Sequence, residues 1–413
     1  MMTTRMIRGL RFLAVVTVVG LATGTGSIFA ATRTWTGAGV DGNWSTAANW
    51  GGTAPVAGDD LVFPDGAARM TTNNNDLQLW TLFNSISFTG PAGGYNIAGN
   101  SISLGAGITT ANGATNTISL DVRLAASQTF NVSGAGAGTL NFAGTIYPFN
   151  DTLTLAGPNG IVSLGPIIQS GTGGVSSSVG YAYLTANSTY TGPTTVSAGT
   201  FSIANSHSLS PSSAVTVSGG TLQFANNGSA GPVTVNPTAT LFCGLGNVNG
   251  LGNVTDLSLQ SGATLSLQMS TLSNYGQLNA SGNVSLGGAT LSLGWGFTSS
   301  TGNAFTIINK TSAGAITGTF NGLAEGATFT QGARTYQITY VGGNGNDVVV
   351  TDIGPAPIAT PTPTPTPTPT ATRTVTTTPT PGPNIPTTGG GGAIVFIFLL
   401  AGAGVLLVRR YVS

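Results

Sequence analysis

The sequence predicts an all-β fold in which short strands stack as a β-solenoid. In residues 200–203, 214–217 and 221–224, every second side chain is apolar, which is typical of a strand with one buried face. The last two runs are separated by Ser218-Gly219-Gly220, a group of small residues that favours a corner. A phrase rich in Gly and Thr also returns along the chain, and no helical pattern accompanies it.

The repeated phrase sets the expected coil length. Its threonines are Thr200, Thr221, Thr240, Thr264 and Thr290, so the steps between copies are 21, 19, 24 and 26 residues. A coil of this length offers an apolar face that only the next coil can cover. The repeat therefore predicts that successive coils stack.

One stretch of this pattern is similar to a known family. Residues 183–200, which read YLTANSTYTGPTTVSAGT, closely resemble the signature of the autotransporter-associated β-strand repeat family of bacterial surface and secreted proteins. The resemblance is good over 183–203, and looser copies cover much of 35–351. It implies a right-handed parallel β-helix displayed outside the cell, and it implies no reaction.

The composition changes along the chain and divides it into six expected segments. In order, these are a signal peptide (1–30), a Trp-rich N-terminal cap (31–76), the solenoid repeats (77–302), a C-terminal β cap (303–352), a disordered Thr/Pro-rich linker (353–384) and a sorting signal with a transmembrane helix (385–413).

Charge is scarce and limits the classes of partner. Charged residues are 5% of the chain, with no cation between Arg123 and Lys310 and no anion between Asp151 and Asp256. Such a surface attracts nucleic acid weakly, so we expect no nucleic-acid partner. The single cysteine, Cys243, cannot form an intramolecular disulfide, and we expect it to be a buried apolar residue.

The N-terminus has the features of a secretory signal. Arg5, Arg8 and Arg11 precede an apolar run over 12–21, and small residues favour cleavage before Ala31. The alternative is an uncleaved anchor, although the run is short for a bilayer-spanning helix. We therefore expect an exported protein.

Three tryptophans follow the signal. Trp35, Trp44 and Trp50 stand among Gly, Asn and Asp residues. They could stack on the C–H faces of sugar rings, which makes them candidate glycan contacts. The favoured interpretation is that they cover the open end of the first coil, which would otherwise expose its core and strand edges.

Charged residues return in the expected C-terminal cap. Within it, residues 342–350 read GGNGNDVVV and match the calcium-binding nonapeptide at its fixed positions. Asp347 is therefore a weak calcium candidate. One copy supplies too few oxygens for calcium, so the pattern favours a hairpin turn that leads into a final strand.

The C-terminus resembles an LPXTG-type sorting signal. Prolines alternate with threonines over 360–370, which is typical of a semi-rigid polyproline II spacer. After it come Ile385, Pro386, Thr387, Thr388 and Gly389, then an apolar run over 393–408 and Arg409-Arg410. The resemblance implies cleavage between Thr388 and Gly389 by a sortase-like transpeptidase and attachment to the cell wall. The alternative is a simple membrane anchor through residues 393–408.

The sequence contains few groups suited to catalysis. His207 is the only histidine and lies in a polar corner, and Glu325 is the only glutamate. The adjacent acids Asp59 and Asp60 are typical of a turn. No metal or cofactor motif is present in a suitable context, so we expect neither a cofactor nor an enzyme.

These observations predict an exported, surface-anchored structural or adhesive solenoid that contacts surface glycans or other cells. The alternative is a β-helix that binds or cleaves polysaccharide. In that case a groove would be lined by the three tryptophans or by Asp59, Asp60 and Asp65.

Overall fold

A computed structural model describes residues 30–357, except 91–93, 112, 135, 137, 169–170 and 245–249. Within these residues the chain is all-β, and its only helix is a short 3-10 turn, Ala47–Trp50. No described helix has both the length and the apolar character that a membrane span requires. The predicted leader, almost all of the linker, the sorting motif and the apolar segment 393–408 lie outside the described residues.

The described chain forms a parallel β-solenoid of about 10 turns. One face is a long sheet in which each strand pairs with the strand one coil later. Its strands are β1 (Thr32–Thr34), β2 (Asp60–Pro64), β4 (Thr81–Thr89), β6 (Ile102–Thr110), β9 (Gln128–Val132), β12 (Leu153–Ala156), β14 (Val175–Ser177), β16 (Thr194–Val196), β18 (Val215–Val217), β21 (Val233–Val235), β24 (Leu257–Leu259) and β27 (Val284–Ser285). A branch leaves this sheet at β6, where β8 (Val122–Leu124) pairs with β6 and β11 (Ile146–Tyr147) pairs with β8.

A second face runs beside the first. Its strands are β3 (Asn73–Asn75), β5 (Asn96–Gly99), β7 (Thr115–Ile118), β10 (Thr139–Phe142), β13 (Ile161–Leu164), β15 (Tyr181–Leu184), β17 (Thr200–Ile203), β19 (Thr221–Phe224), β22 (Thr240–Cys243), β25 (Thr264–Met269) and β28 (Thr290–Trp295). Every neighbouring pair in this sheet is parallel.

A third sheet covers the C-terminal coils. It contains β20 (Gly228–Ser229), β23 (Leu251–Val254), β26 (Gln277–Ala280), β29 (Ala304–Lys310), β30 (Thr328–Gln331), β31 (Arg334–Gly342) and β32 (Asp347–Pro355). Pairing is parallel up to β29 and antiparallel from there to β30. The parallel ladder of this sheet therefore ends on a hairpin.

The register confirms the stacking that the repeat predicts. Thr200 pairs with Thr221, Thr221 with Thr240, Thr240 with Thr264, and Thr264 with Thr290. The coils vary in length, yet the strands stay in register because the extra residues fall in the corners between them.

The core follows from the alternation within each strand. In β18, Val215 and Val217 are buried while Thr216 lies between them on the outer side. Phe201, Leu222 and Leu241 stack in successive coils and are all fully buried. Burying side chains of this size contributes about 1.5–3 kcal/mol each.

Corner geometry explains one of the repeated glycines. Gly220 has φ +67°, and a Cβ there would collide with the carbonyl oxygen of Gly199 in the coil below. Only glycine satisfies both conditions without strain. In the weaker copy of the phrase, Thr238 adopts a similar φ of +68°.

Candidate functional site

The three N-terminal tryptophans are inside the molecule. Trp35 and Trp44 are 0% exposed and Trp50 is 5% exposed. Trp50 lies edge-on to both other indoles, and Phe63 packs within 6.3 Å of all three rings. Together they fill the end of the solenoid beside β1 and β2.

Their indole nitrogens are satisfied internally. Trp35 Nε1 donates to the Ala68 carbonyl (3.0 Å), Trp44 Nε1 to Asn73 Oδ1 (2.5 Å) and Trp50 Nε1 to the Trp44 carbonyl (3.0 Å). No ring face of the three is open to solvent. A glycan therefore has no accessible surface on them in this structure, because the end of the core needs the same rings as packing.

The acids at the start of β2 have separate partners. Asp59 is 1% exposed and accepts hydrogen bonds from Arg33 Nε (2.8 Å) and from two backbone N–H groups. Burial acts to raise the pKa of Asp59, but the Arg33 guanidinium and these N–H groups outweigh it, so the pKa is lowered. Asp60 accepts from Asn84 Nδ2 and Ser85 Oγ instead. Asp59 and Asp60 are therefore held by different groups, although they are adjacent in sequence.

Asp347 lies at the hairpin that the sequence predicts. Gly342 pairs with Asp347 where β31 turns into β32, and the Asp347 carboxylate accepts the backbone N–H of Lys310 (2.9 Å). No group of three or more His, Cys, Asp or Glu side chains with metal-binding geometry occurs among the described residues. The hairpin is confirmed, and it holds Asp347 against β29.

The single cysteine lies in β22 and the single histidine in a corner between strands. Cys243 is fully buried, as predicted, and burial raises the pKa of its thiol. His207 is half-buried in a corner, where its backbone N–H donates to the Ala204 carbonyl. The sorting motif, Ile385 to Gly389, lies outside the described residues.

A partly exposed cluster of aromatic residues lies elsewhere, and the sequence alone does not reveal it. The strand register aligns Leu82, Ser103, Arg123 and Tyr147 in one row, with one residue from each successive coil. Trp80 precedes this row in its turn and Phe149 follows it. We call Trp80, Arg123, Tyr147 and Phe149 the aromatic patch.

The aromatic patch is held by defined contacts. The Arg123 guanidinium lies 5.3 Å from the Trp80 ring centroid, and its Nε and Nη2 donate to Ser103 Oγ (3.0 and 2.7 Å). Ser103 is buried and donates in turn to the Trp80 carbonyl (3.1 Å). Trp80 packs edge-on against Tyr147 at 5.7 Å, and Tyr147 stacks with Phe149 at 6.4 Å.

Two residues of the patch have unusual backbone conformations. Trp80 has φ +64° and Phe149 has φ +53°, a region that bulky residues rarely occupy. Among the described residues with positive φ, these are the two aromatic ones. Phe149 is 37% exposed, so its ring is covered only in part.

A second aromatic surface lies on the outer side of the second face. Tyr181 and Tyr183 project outward with ring centroids 5.7 Å apart. Tyr181 borders a shallow groove whose other side chains are Thr200, Thr221, Gln223, Thr240, Phe242 and Ser266. Gln223 bridges this surface, since it accepts from the Tyr181 hydroxyl (3.4 Å) and donates to the Gly244 carbonyl (2.9 Å). No described tyrosine of this surface has a strained backbone.

Comparison with known proteins does not assign a family. No protein-family model matches the chain, and no curated protein sequence matches it significantly.

Proposed function

We propose that this protein is an exported, cell-surface-anchored, right-handed β-solenoid that acts as a structural or adhesive protein without catalytic activity. The observation that carries the proposal is the in-register parallel ladder, which is closed by packed tryptophans at one end and by a hairpin at the other. Such an architecture holds a long surface in a fixed arrangement and protects its strand edges from other chains.

The sequence features at both termini support the cellular part of the proposal. The predicted leader directs export, the Thr-Pro spacer separates the solenoid from its attachment point, and the sorting motif supplies the attachment. A sortase-like transpeptidase and the cell wall are the partners that this arrangement requires.

Mass spectrometry of cell-wall digests tests the anchoring. We expect a C-terminus at Thr388 joined to a wall peptide. Thr388→Ala should abolish this linkage and leave the protein in the membrane fraction. Thr387→Ala, at the variable position of the motif, is the matched control and should still be linked. An intact Arg409-Arg410 end in the native protein would contradict wall attachment.

Polysaccharide binding is the second candidate, and the aromatic patch is the observation that favours it. A polysaccharide-cleaving site would instead need two carboxylates placed on either side of a glycosidic bond. Asp59 and Asp60 are held by different partners, which does not favour cleavage at that position.

A further inference from the structure

The aromatic patch contains backbone strain at Trp80 and Phe149 that the fold does not explain. Glycine or asparagine would occupy the backbone conformations of Trp80 and Phe149 with less strain. Phe149 is 37% exposed, and two aliphatic residues, Leu82 at the start of the row and Ile168 in the coil after Tyr147, are 44% and 41% exposed. Strained backbone beside exposed rings is typical of a binding surface.

The patch also has unused hydrogen-bonding groups. Arg123 bonds Ser103 through Nε and Nη2, and neither its Nη1 nor the Tyr147 hydroxyl makes a hydrogen bond within the described part of the chain. Arg123 makes no ion pair there either, since the described ion pairs join Arg33 with Asp59 and Arg334 with Asp352.

We infer that the aromatic patch binds a neutral glycan, with sugar rings stacked on Tyr147 and Phe149 and sugar hydroxyls bonded to Arg123 and Tyr147. The C–H face of a pyranose is apolar and suits an aromatic ring, while its edge carries hydroxyls that need donors and acceptors. The contacts to Ser103 and Trp80 hold Arg123 in place before the ligand arrives, which lowers the entropy cost of binding.

The shape of the surface favours an elongated ligand. The row from Leu82 to Tyr147 advances by one coil per residue, and successive strands lie about 4.8 Å apart. The strip is narrow, since Trp80 and Phe149 flank a single row of side chains, and Ser103 within that row is buried. A globular protein partner buries a broader surface, so a chain of sugars fits this strip better.

The electrostatics favour a neutral ligand. Arg123 is the only cation of the patch, and Asp121 lies two residues before it, immediately ahead of β8. Asp151 follows Phe149 at the same short distance in sequence. A surface with this mixture of charges has no net attraction for an acidic polysaccharide or an anionic membrane.

Binding is tested with the purified full-length protein in a zwitterionic detergent, since sugar-based detergents would compete. Cellohexaose, xylohexaose and chitohexaose are titrated by calorimetry, with polygalacturonate oligomers and phosphatidylglycerol vesicles as charged probes. We expect binding of at least one neutral oligosaccharide, changing less than twofold between 50 and 500 mM NaCl. Binding of the charged probes alone, or of no probe, would overturn the inference.

Variants locate the site. Tyr147→Ala should weaken binding at least tenfold, whereas Tyr181→Ala, which removes an equally half-buried tyrosine from the second face, should leave it unchanged. Phe149→Gly should weaken binding, and because glycine tolerates the positive φ, added backbone strain would not be the cause of the loss. A purely structural Phe149 would give a lower midpoint and unchanged affinity, and that result would contradict the inference.

This inference rests on the proposed adhesive role, and the two can fail separately. Wall attachment is measured at Thr388, whereas glycan binding is measured on the purified protein. A protein that binds glycan without wall linkage would retain the site and lose only the anchoring proposal.

Discussion

The ends of the solenoid carry ion pairs, whereas its middle coils rely on neutral polar groups. Arg33 pairs with Asp59 at the N-terminal end (2.8 Å) and Arg334 with Asp352 at the C-terminal end (2.6 Å), and these are the ion pairs of the described residues. Towards the C-terminal end, side-chain amides form a ladder along the parallel strands of the third sheet. Asn253 donates to Asn227, Asn279 to Asn253, and Asn309 to Asn279, at 2.8–3.0 Å.

The difference reflects how the polar groups of each region find hydrogen-bond partners. A middle coil is covered on both sides, so identical side chains can bond to the coils above and below without carrying charge. An end coil has a neighbour on one side only, and its polar groups must stop the ladder. The charged ends and the neutral coils between them should therefore differ in their sensitivity to pH and to salt.

The largest expected effect comes from removing a buried aromatic ring. Where hydrogen exchange then increases distinguishes local from global unfolding. Trp44→Ala removes a fully buried indole from the N-terminal end, and Phe201→Ala removes a fully buried ring from the middle. Each should cost about 3–5 kcal/mol. Because coils contact only their neighbours, Trp44→Ala should increase hydrogen exchange mainly in β2 to β4, while Phe201→Ala should increase it in coils on both sides. Equal exchange throughout both variants would show that the ends and the middle unfold as one unit.

The C-terminal ion pair should give the next largest effect. Asp352 is buried and accepts from Arg334 Nε (2.8 Å) and Nη2 (2.6 Å) and from Ser299. Asp352→Asn leaves the guanidinium without a counter-charge. Since Arg334 is partly exposed, the loss should be below that of a fully buried pair, about 2 kcal/mol. Urea denaturation measures it, and Asp151→Asn, which removes a half-exposed acid from the middle, is the control.

Low pH should destabilise both ends of the solenoid, because each end has a buried carboxylate with a lowered pKa. Burial acts to raise the pKa of Asp352, but hydrogen bonds from Arg334 and Ser299 lower it by a larger amount. The pKa of Asp352 is therefore below its ordinary value, as is that of Asp59. A lowered folded-state pKa stabilises the protein above the unfolded-state pKa, and this contribution is lost as pH falls through the folded-state value. We expect β1, β2 and β32 to lose exchange protection below about pH 4, while β16 to β22 keep theirs. Uniform loss across all coils would argue against charge as the difference.

The smallest expected effect tests the amide ladder. Asn279→Ala breaks its bonds to Asn253 and Asn309 and should cost about 1 kcal/mol, because the ladder is partly exposed. This loss should be the same in 50 mM and 500 mM NaCl, since no charge is involved. Thermal denaturation in both salts measures it. A loss of stability that becomes smaller at high salt would indicate an unrecognised charge beside the amide ladder.

Much of the fold could be predicted from local patterns. The strands Thr139–Phe142, Thr200–Ile203 and Thr221–Phe224 coincide with alternating runs in the sequence, and their apolar members are buried, although the polar Ser202 and Gln223 are buried as well. The repeat also predicted the stacking of Thr200 on Thr221, since corners absorb differences in coil length. The hairpin at Asp347 followed from its glycine-rich turn.

The candidate site could not be found in this way. Polar neighbours made Trp35, Trp44 and Trp50 candidate glycan contacts beside the favoured interpretation as an end cap, and all three are buried. The signal for the aromatic patch was present only as a spacing of about one coil between Ser103, Arg123 and Tyr147. That spacing has meaning only once the register is known.

By itself, the sequence determined the alternation of inner and outer side chains, the coil repeat and the scarcity of charge. These properties depend on neighbours along the chain and on composition. The tertiary structure alone decided which coils share a row, which aromatic rings close an end and which stay exposed. Those outcomes depend on where each corner ends, and the length of one coil shifts every side chain that stacks above it.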